Sequence, residues 1–267
     1  MARRAMVLAA LIVAFSPLAA QSLAPTLPAT EYIHAGGKTI VTLKNSDHIF
    51  GDMTPSDEAF GPAHIVLDRR ITQGCGVAIF CPSDLVTRGQ TAVFVIRSLF
   101  SSLGANNYPY DPATNPTGFP YPTTPYFTDV PTSHIFFPYI QKIKELGITL
   151  GCSYDLYCPD DSVTNGQIAV FTVRAWELRT TSTVPGQPGP YPPSGNFTYT
   201  PTPYFPDDAT PYSPPPVDSW FKYIQKARDL NIITTGCTPT AFCPNTPITR
   251  GKTTFYHVRG ILGDFMY

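Results

Sequence analysis

Charge is what this sequence has least of. Only 14% of its residues are Asp, Glu, Lys or Arg, against roughly 25% in an ordinary globular chain. Its 18 basic and 19 acidic residues nearly cancel, leaving a net charge of −1. That balance excludes a broad electrostatic nucleic-acid binder, which would carry a strongly basic face, and it offers no polybasic membrane patch. Long apolar runs are missing beyond the first twenty residues, so no later segment reads as a membrane span. The short catalytic signatures are missing too: no G-x-S-x-G, H-E-x-x-H, P-loop or dinucleotide fingerprint is found. The five histidines fall at no matching offsets, and no acidic pair recurs in the manner of a glycoside hydrolase. On these grounds the chain is expected not to be an enzyme, and neither a cofactor nor a metal is expected.

What is present is material for a core: 43% apolar and 13% aromatic residues, with 30 prolines. The N-terminus carries Arg3 and Arg4, an apolar run over residues 5–15 and small residues up to Ala20. This order of segments predicts a secretory signal peptide over residues 1–20. The chain is therefore expected to be secreted, with no membrane span once the signal is removed.

Cysteine number and spacing carry the next inference. Cys75 and Cys81, Cys152 and Cys158, and Cys237 and Cys243 form three like-spaced pairs. Each first cysteine follows a glycine (Gly74, Gly151, Gly236) and each second one precedes a proline (Pro82, Pro159, Pro244). Six cysteines allow 15 pairings, but like units should close in like ways, which predicts three local bridges. An exported chain meets conditions in which they persist. Zinc is the competing reading, yet no C-x-x-C spacing and no histidine at a fixed offset supports it.

The cysteines belong to a longer repeat. Shifting Phe50–Arg97 by 77 positions onto Phe127–Arg174 gives 19 identities in 48 without a gap. The division that follows is an N-terminal extension over 21–49, a first and diverged repeat over 50–103, a second over 126–180 and a third over 204–263. Pro-rich segments 104–125 and 181–203 between them read as stiff, extended linkers. A short strand is expected at Thr39–Leu43.

Within each repeat, apolar residues at helical spacing predict a leading helix, clearest at Tyr139–Leu146 and Tyr223–Leu230. After the cysteine loop a second helix has a marked start. Thr87 with Gln90 and Thr164 with Gln167 form capping boxes; Thr249 has Lys252 three residues on, so its box is half made. The expected fold class is mainly α: three tandem helix-loop-helix units whose second helices share a core.

The ordered pattern of aromatic-x-Asp (Asp52, Asp129, Asp207), Tyr-Ile-Gln-Lys, Gly-Cys, Cys-Pro and Thr-Arg-Gly-Gln resembles the S-layer homology domain, in three copies covering roughly residues 50–263. The resemblance implies three units about a pseudo-threefold axis, with grooves between them. It implies non-covalent binding of cell-wall polysaccharide or peptidoglycan-linked glycan, often acidic, at a bacterial cell surface. The family's groove arginine matches Arg88 and Arg250, while the second copy has Asn165 and all three lack the family's terminal acidic residue. An arginine at the first position of a helix opposes the macrodipole, which makes sense where a bound anion is gripped by guanidinium. Asp129 and Asp207 are read either as groove residues or as caps of the following turn, and Trp220 either as a sugar-stacking platform or as packing. Arg97, Arg174 and Arg259 read as structural. The alternative function is a surface assembly protein making protein–protein contacts.

Overall fold

The computed structural model describes residues 30–35, 38–44, 50–208 and 220–263. The expected signal peptide lies outside the described residues. The chain is mainly helical. Among the described residues a two-stranded antiparallel hairpin, β1 (Thr30–Ala35) and β2 (Lys38–Lys44), precedes six α-helices. The strand expected at Thr39–Leu43 falls within β2.

The helices come in pairs. α1 (Phe60–Asp68), α3 (Phe137–Glu145) and α5 (Trp220–Asp229) lead. α2 (Arg88–Ser102), α4 (Asn165–Thr180) and α6 (Arg250–His257) follow, and α6 runs on into a π-helical turn at Val258–Leu262. The three expected bridges are formed: Cys75–Cys81, Cys152–Cys158 and Cys237–Cys243. Each closes the loop between the two helices of a pair.

The second helices start where their caps dictate. Thr87 and Thr164 each accept the amide three residues on, while Gln90 and Gln167 reach back to the cap amide. Thr249 accepts the Lys252 amide, but the Lys252 ammonium turns away to the Gly236 carbonyl. Val163 and Ile168, on either side of the α4 cap, are both fully buried, as a hydrophobic staple requires.

Just ahead of these helices the backbone closes a ring. The Val86 amide donates to the Ile248 carbonyl at 3.3 Å, Ile248 to Val163 at 3.0 Å, and Val163 back to Val86 at 2.9 Å. A neighbouring set repeats the same circulation: Arg88 to Asp161 at 2.8 Å, Asn165 to Thr246 at 3.0 Å and Arg250 to Asp84 at 2.7 Å. Bonds that would dangle at three separate helix starts are thus satisfied between segments far apart in sequence.

Apolar packing follows this circulation. The larger core gathers Val95, Leu99, Ile140, Ile143, Val173, Leu178, Ile224 and Ile261 from α2 to α5 and the π-helical turn. A smaller one joins Phe60, Ala63 and Val66 of α1 to Phe94, Val258 and Leu262. The lead helix of the first unit therefore packs on the end of the third.

The segments between units are not the stiff, extended linkers expected. In 104–125 the Tyr110 amide bonds the Phe119 carbonyl and the Phe119 amide bonds that of Tyr108, both at 2.9 Å. Phe119, only 2% exposed, stacks on Phe100 at 5.1 Å and meets Tyr139 edge-on. Burying such a ring contributes about 2 kcal/mol toward holding this proline-rich segment on the core. Buried Gln141 then pins its end, donating to the Pro122 and Thr124 carbonyls; Gln225 does the same to Thr200 and Thr202. Glu177 accepts from the Ser194 and Gly195 amides and holds the second connection down.

Candidate functional site: the junctions between units

Each helix start faces the cystine loop of another unit, and the aspartates of the repeat build that loop. Asp129 accepts the Tyr157 amide at 2.9 Å through one oxygen and the Cys158 amide at 2.7 Å through the other. Asp207 treats Phe242 and Cys243 identically, at 2.8 and 2.7 Å, and Asp52 does so for Phe80 and Cys81. The cysteine so held adopts a positive φ of 55–57° in all three loops. An L-residue there is strained, and two charge-assisted bonds offset the cost. Asp129 and Asp207 therefore cap the cystine loop rather than a turn next to them in sequence.

Arg88, Asn165 and Arg250 occupy the first position of α2, α4 and α6 as expected, but the loops cover them. Arg88 is 3% exposed. Its Nε donates to the Tyr157 carbonyl at 2.8 Å, and its guanidinium lies 4.8 Å over the Tyr157 ring. The Tyr157 hydroxyl returns a bond to the Arg88 carbonyl, and burial pushes its pKa up. Asn165 stands in the same relation to the third unit, Nδ2 donating to the Cys243 carbonyl at 3.1 Å. Arg250 is 7% exposed; burial lowers its pKa, against the opposing pull of Asp84. Its Nε, like one terminal nitrogen of Arg88, finds no hydrogen-bond partner among the described residues. None of the three is the solvated surface group that a helix N-terminus suggests in isolation.

The junctions share backbone geometry and differ in what fills them. The Gly89 amide donates to the Pro159 carbonyl, Gly166 to Pro244 and Gly251 to Pro82, at 2.8, 2.9 and 2.9 Å. Over each glycine stands the residue at the start of the adjoining unit's lead helix. A Cβ on Gly89 would come within 2.3 Å of the Phe136 ring, and one on Gly166 within 2.4 Å of the Trp220 ring. Both glycines are there because an aromatic ring lies directly on them. At Gly251 the neighbour is Ala59, with its Cβ at 3.1 Å. There a cavity of about 280 Å³ opens, lined among others by Asp57, Glu58, Ala59, Pro82, Lys252 and Phe255.

The structure thus brings the expected residues together around loops: Arg88 with the loop held by Asp129, Asn165 with the loop held by Asp207. Trp220 packs at a junction. Asp57, Glu58 and Phe255 were not singled out by the sequence, and Lys252 only as a departure from a helix cap, because their meeting depends on the junction of the third unit with the first. Among the described residues no group of His, Cys, Asp and Glu is arranged to hold a metal ion, and no helix is long and apolar enough to cross a membrane. Three disulfides fit an oxidising, extracellular setting.

No family model matches the chain. Over 134 residues, half of this chain, it is 24% identical to a protein named endoglucanase from Bacillus sp. (strain KSM-635), of which the match spans 12%. That relative corrects the expectation that the chain is not an enzyme, since its name is that of a glycoside hydrolase. The expectation rested on absent short motifs and on the lack of a recurring acidic pair. Glycoside hydrolysis needs two carboxyl groups set apart in space, an arrangement that leaves no fixed local signature.

Proposed function

We propose that this is a secreted cell-envelope protein that binds cell-wall polysaccharide non-covalently, through S-layer-homology-like units set about a pseudo-threefold axis. The circulating backbone bonds among Val86, Ile248 and Val163 support such an arrangement. The observation that carries the binding reading is the polar, water-accessible cavity where the third unit meets the first. Its lining mixes hydroxyl, carboxylate and ammonium groups with the Phe255 side chain, groups that can hydrogen-bond to and pack against a hydroxyl-rich ligand. The deeply buried Arg88 and Arg250 act as supports for the junctions. Co-sedimentation with purified wall sacculi tests this reading: the full chain is expected in the pellet and to saturate, and its remaining in the supernatant would refute it.

The similarity to an endoglucanase favours a second reading, hydrolysis of a glucan, with the carboxyl groups of Asp57 and Glu58 lining the same cavity. Incubation with carboxymethylcellulose distinguishes the two: new reducing ends that disappear in Glu58→Gln would establish hydrolysis at this cavity.

A further inference from the structure

The three junctions are alike in backbone, and the contrast between them locates the open one. Aligned through their repeats, Ala59, Phe136 and Trp220 occupy one position. Phe136 and Trp220 lie in contact with Gly89 and Gly166 and fill their junctions. Ala59 leaves the corresponding space empty, and that space is the cavity beside Gly251.

The charge of this cavity is equally specific. Two carboxylates, Asp57 and Glu58, stand on its exposed lip against the single ammonium of Lys252. That ammonium already donates to the Gly236 carbonyl. Burial depresses its pKa, with Glu58 opposing. Arg250 lies buried nearby with Asp84 as its counter-charge. An acidic sugar entering here would meet more negative than positive charge, whereas neutral hydroxyls can donate to the carboxylates and accept from the amine.

Resting on the polysaccharide-binding reading, we infer that the junction of the third unit with the first is this chain's glycan groove, opened by Ala59, and that it takes a sugar carrying no acid group. Phe136 and Trp220 make the other two junctions closed structural contacts.

The test uses the full-length chain and purified sacculi, either intact or stripped of their acidic secondary polymer. Wild type is expected to bind both preparations within about twofold. Ala59→Phe, which copies the second unit's plug, is expected to weaken binding at least tenfold with its circular dichroism unchanged. Ser83→Trp blocks the same cavity from an exposed rim position and provides the same readout should Ala59→Phe fold poorly. Binding by both plugged variants at the wild-type level, with wild-type retention intact, would overturn the groove assignment and leave polysaccharide binding standing. Loss of wild-type binding on stripped sacculi would overturn the preference against acid. Absence of wild-type binding to either preparation would overturn the functional reading, and the groove with it.

Discussion

Two of the junctions and the third differ in one respect that organises the molecule. Between the first and second units, Arg97 donates from Nε to the Tyr139 hydroxyl at 2.9 Å; between the second and third, Arg174 does so to Tyr223 at 3.0 Å. At the closing junction the aligned residue is Pro62, which has no hydroxyl, and Arg259 bonds the Asn231 carbonyl of its own unit and lies 4.0 Å over Phe255. The lead helix of the first unit thus departs twice on the face it turns to its neighbour, at Ala59 and at Pro62. The ring of backbone bonds survives this divergence. Main-chain geometry closes the circle, and side chains decide which junction is sealed.

The sharpest break falls on the loops common to all three. Asp129→Ala would leave the Tyr157 and Cys158 amides unpaired beside a strained cysteine, costing about 3 kcal/mol. For a chain of this size that lowers Tm by roughly 6–12 °C, measurable by calorimetry. Asp52→Ala should lose a similar amount, since its two bonds are the same. A much smaller effect at Asp52 would mean that the first unit is held less firmly than its geometry indicates.

Glycine substitutions separate sealed from open junctions. Gly166→Ala drives a methyl into the Trp220 ring and is expected to cost about 2 kcal/mol through overpacking. Gly251→Ala meets only Ala59 and Pro82 at 3.1 Å or more, and should cost less than half as much in the same denaturation experiment.

The closing junction also carries a titratable ring. His257 is fully buried near Phe94 of the first unit, and burial lowers its pKa to about 4. Because the unfolded chain takes the proton more readily, its contribution to stability is complete above pH 6.5. It is lost as pH falls from there to about 4. In His257→Leu the slope of stability against pH in that window should flatten by up to about 1.4 kcal/mol per unit. A modest effect is expected at the hydroxyl contact: Tyr223→Phe removes one charge-assisted bond to Arg174, about 1.5 kcal/mol by urea titration.

The sequence revealed those features whose causes are local. The three bridges follow from spacing and repetition, and the starts of α2 and α4 follow from a threonine with a glutamine three residues on. Helix α3 begins two residues before its expected Tyr139, and α5 three before Tyr223, because the apolar spacing cannot show where the chain turns in. Burial of Arg88 and Arg250 was not legible. Each was recognised as the first residue of a helix, but what covers it is a loop from another unit. The same holds for Asp129, whose partners lie 28 and 29 residues away. Ala59 drew no notice in the sequence, because its consequence depends on Phe136 lying on Gly89.

Calorimetric titration with soluble oligosaccharide released from sacculi counts the open junctions directly. One oligosaccharide bound per chain, and none in Ala59→Phe, is the result expected of a molecule with two sealed junctions and one open one. Three bound per chain, or one retained by Ala59→Phe, would contradict it.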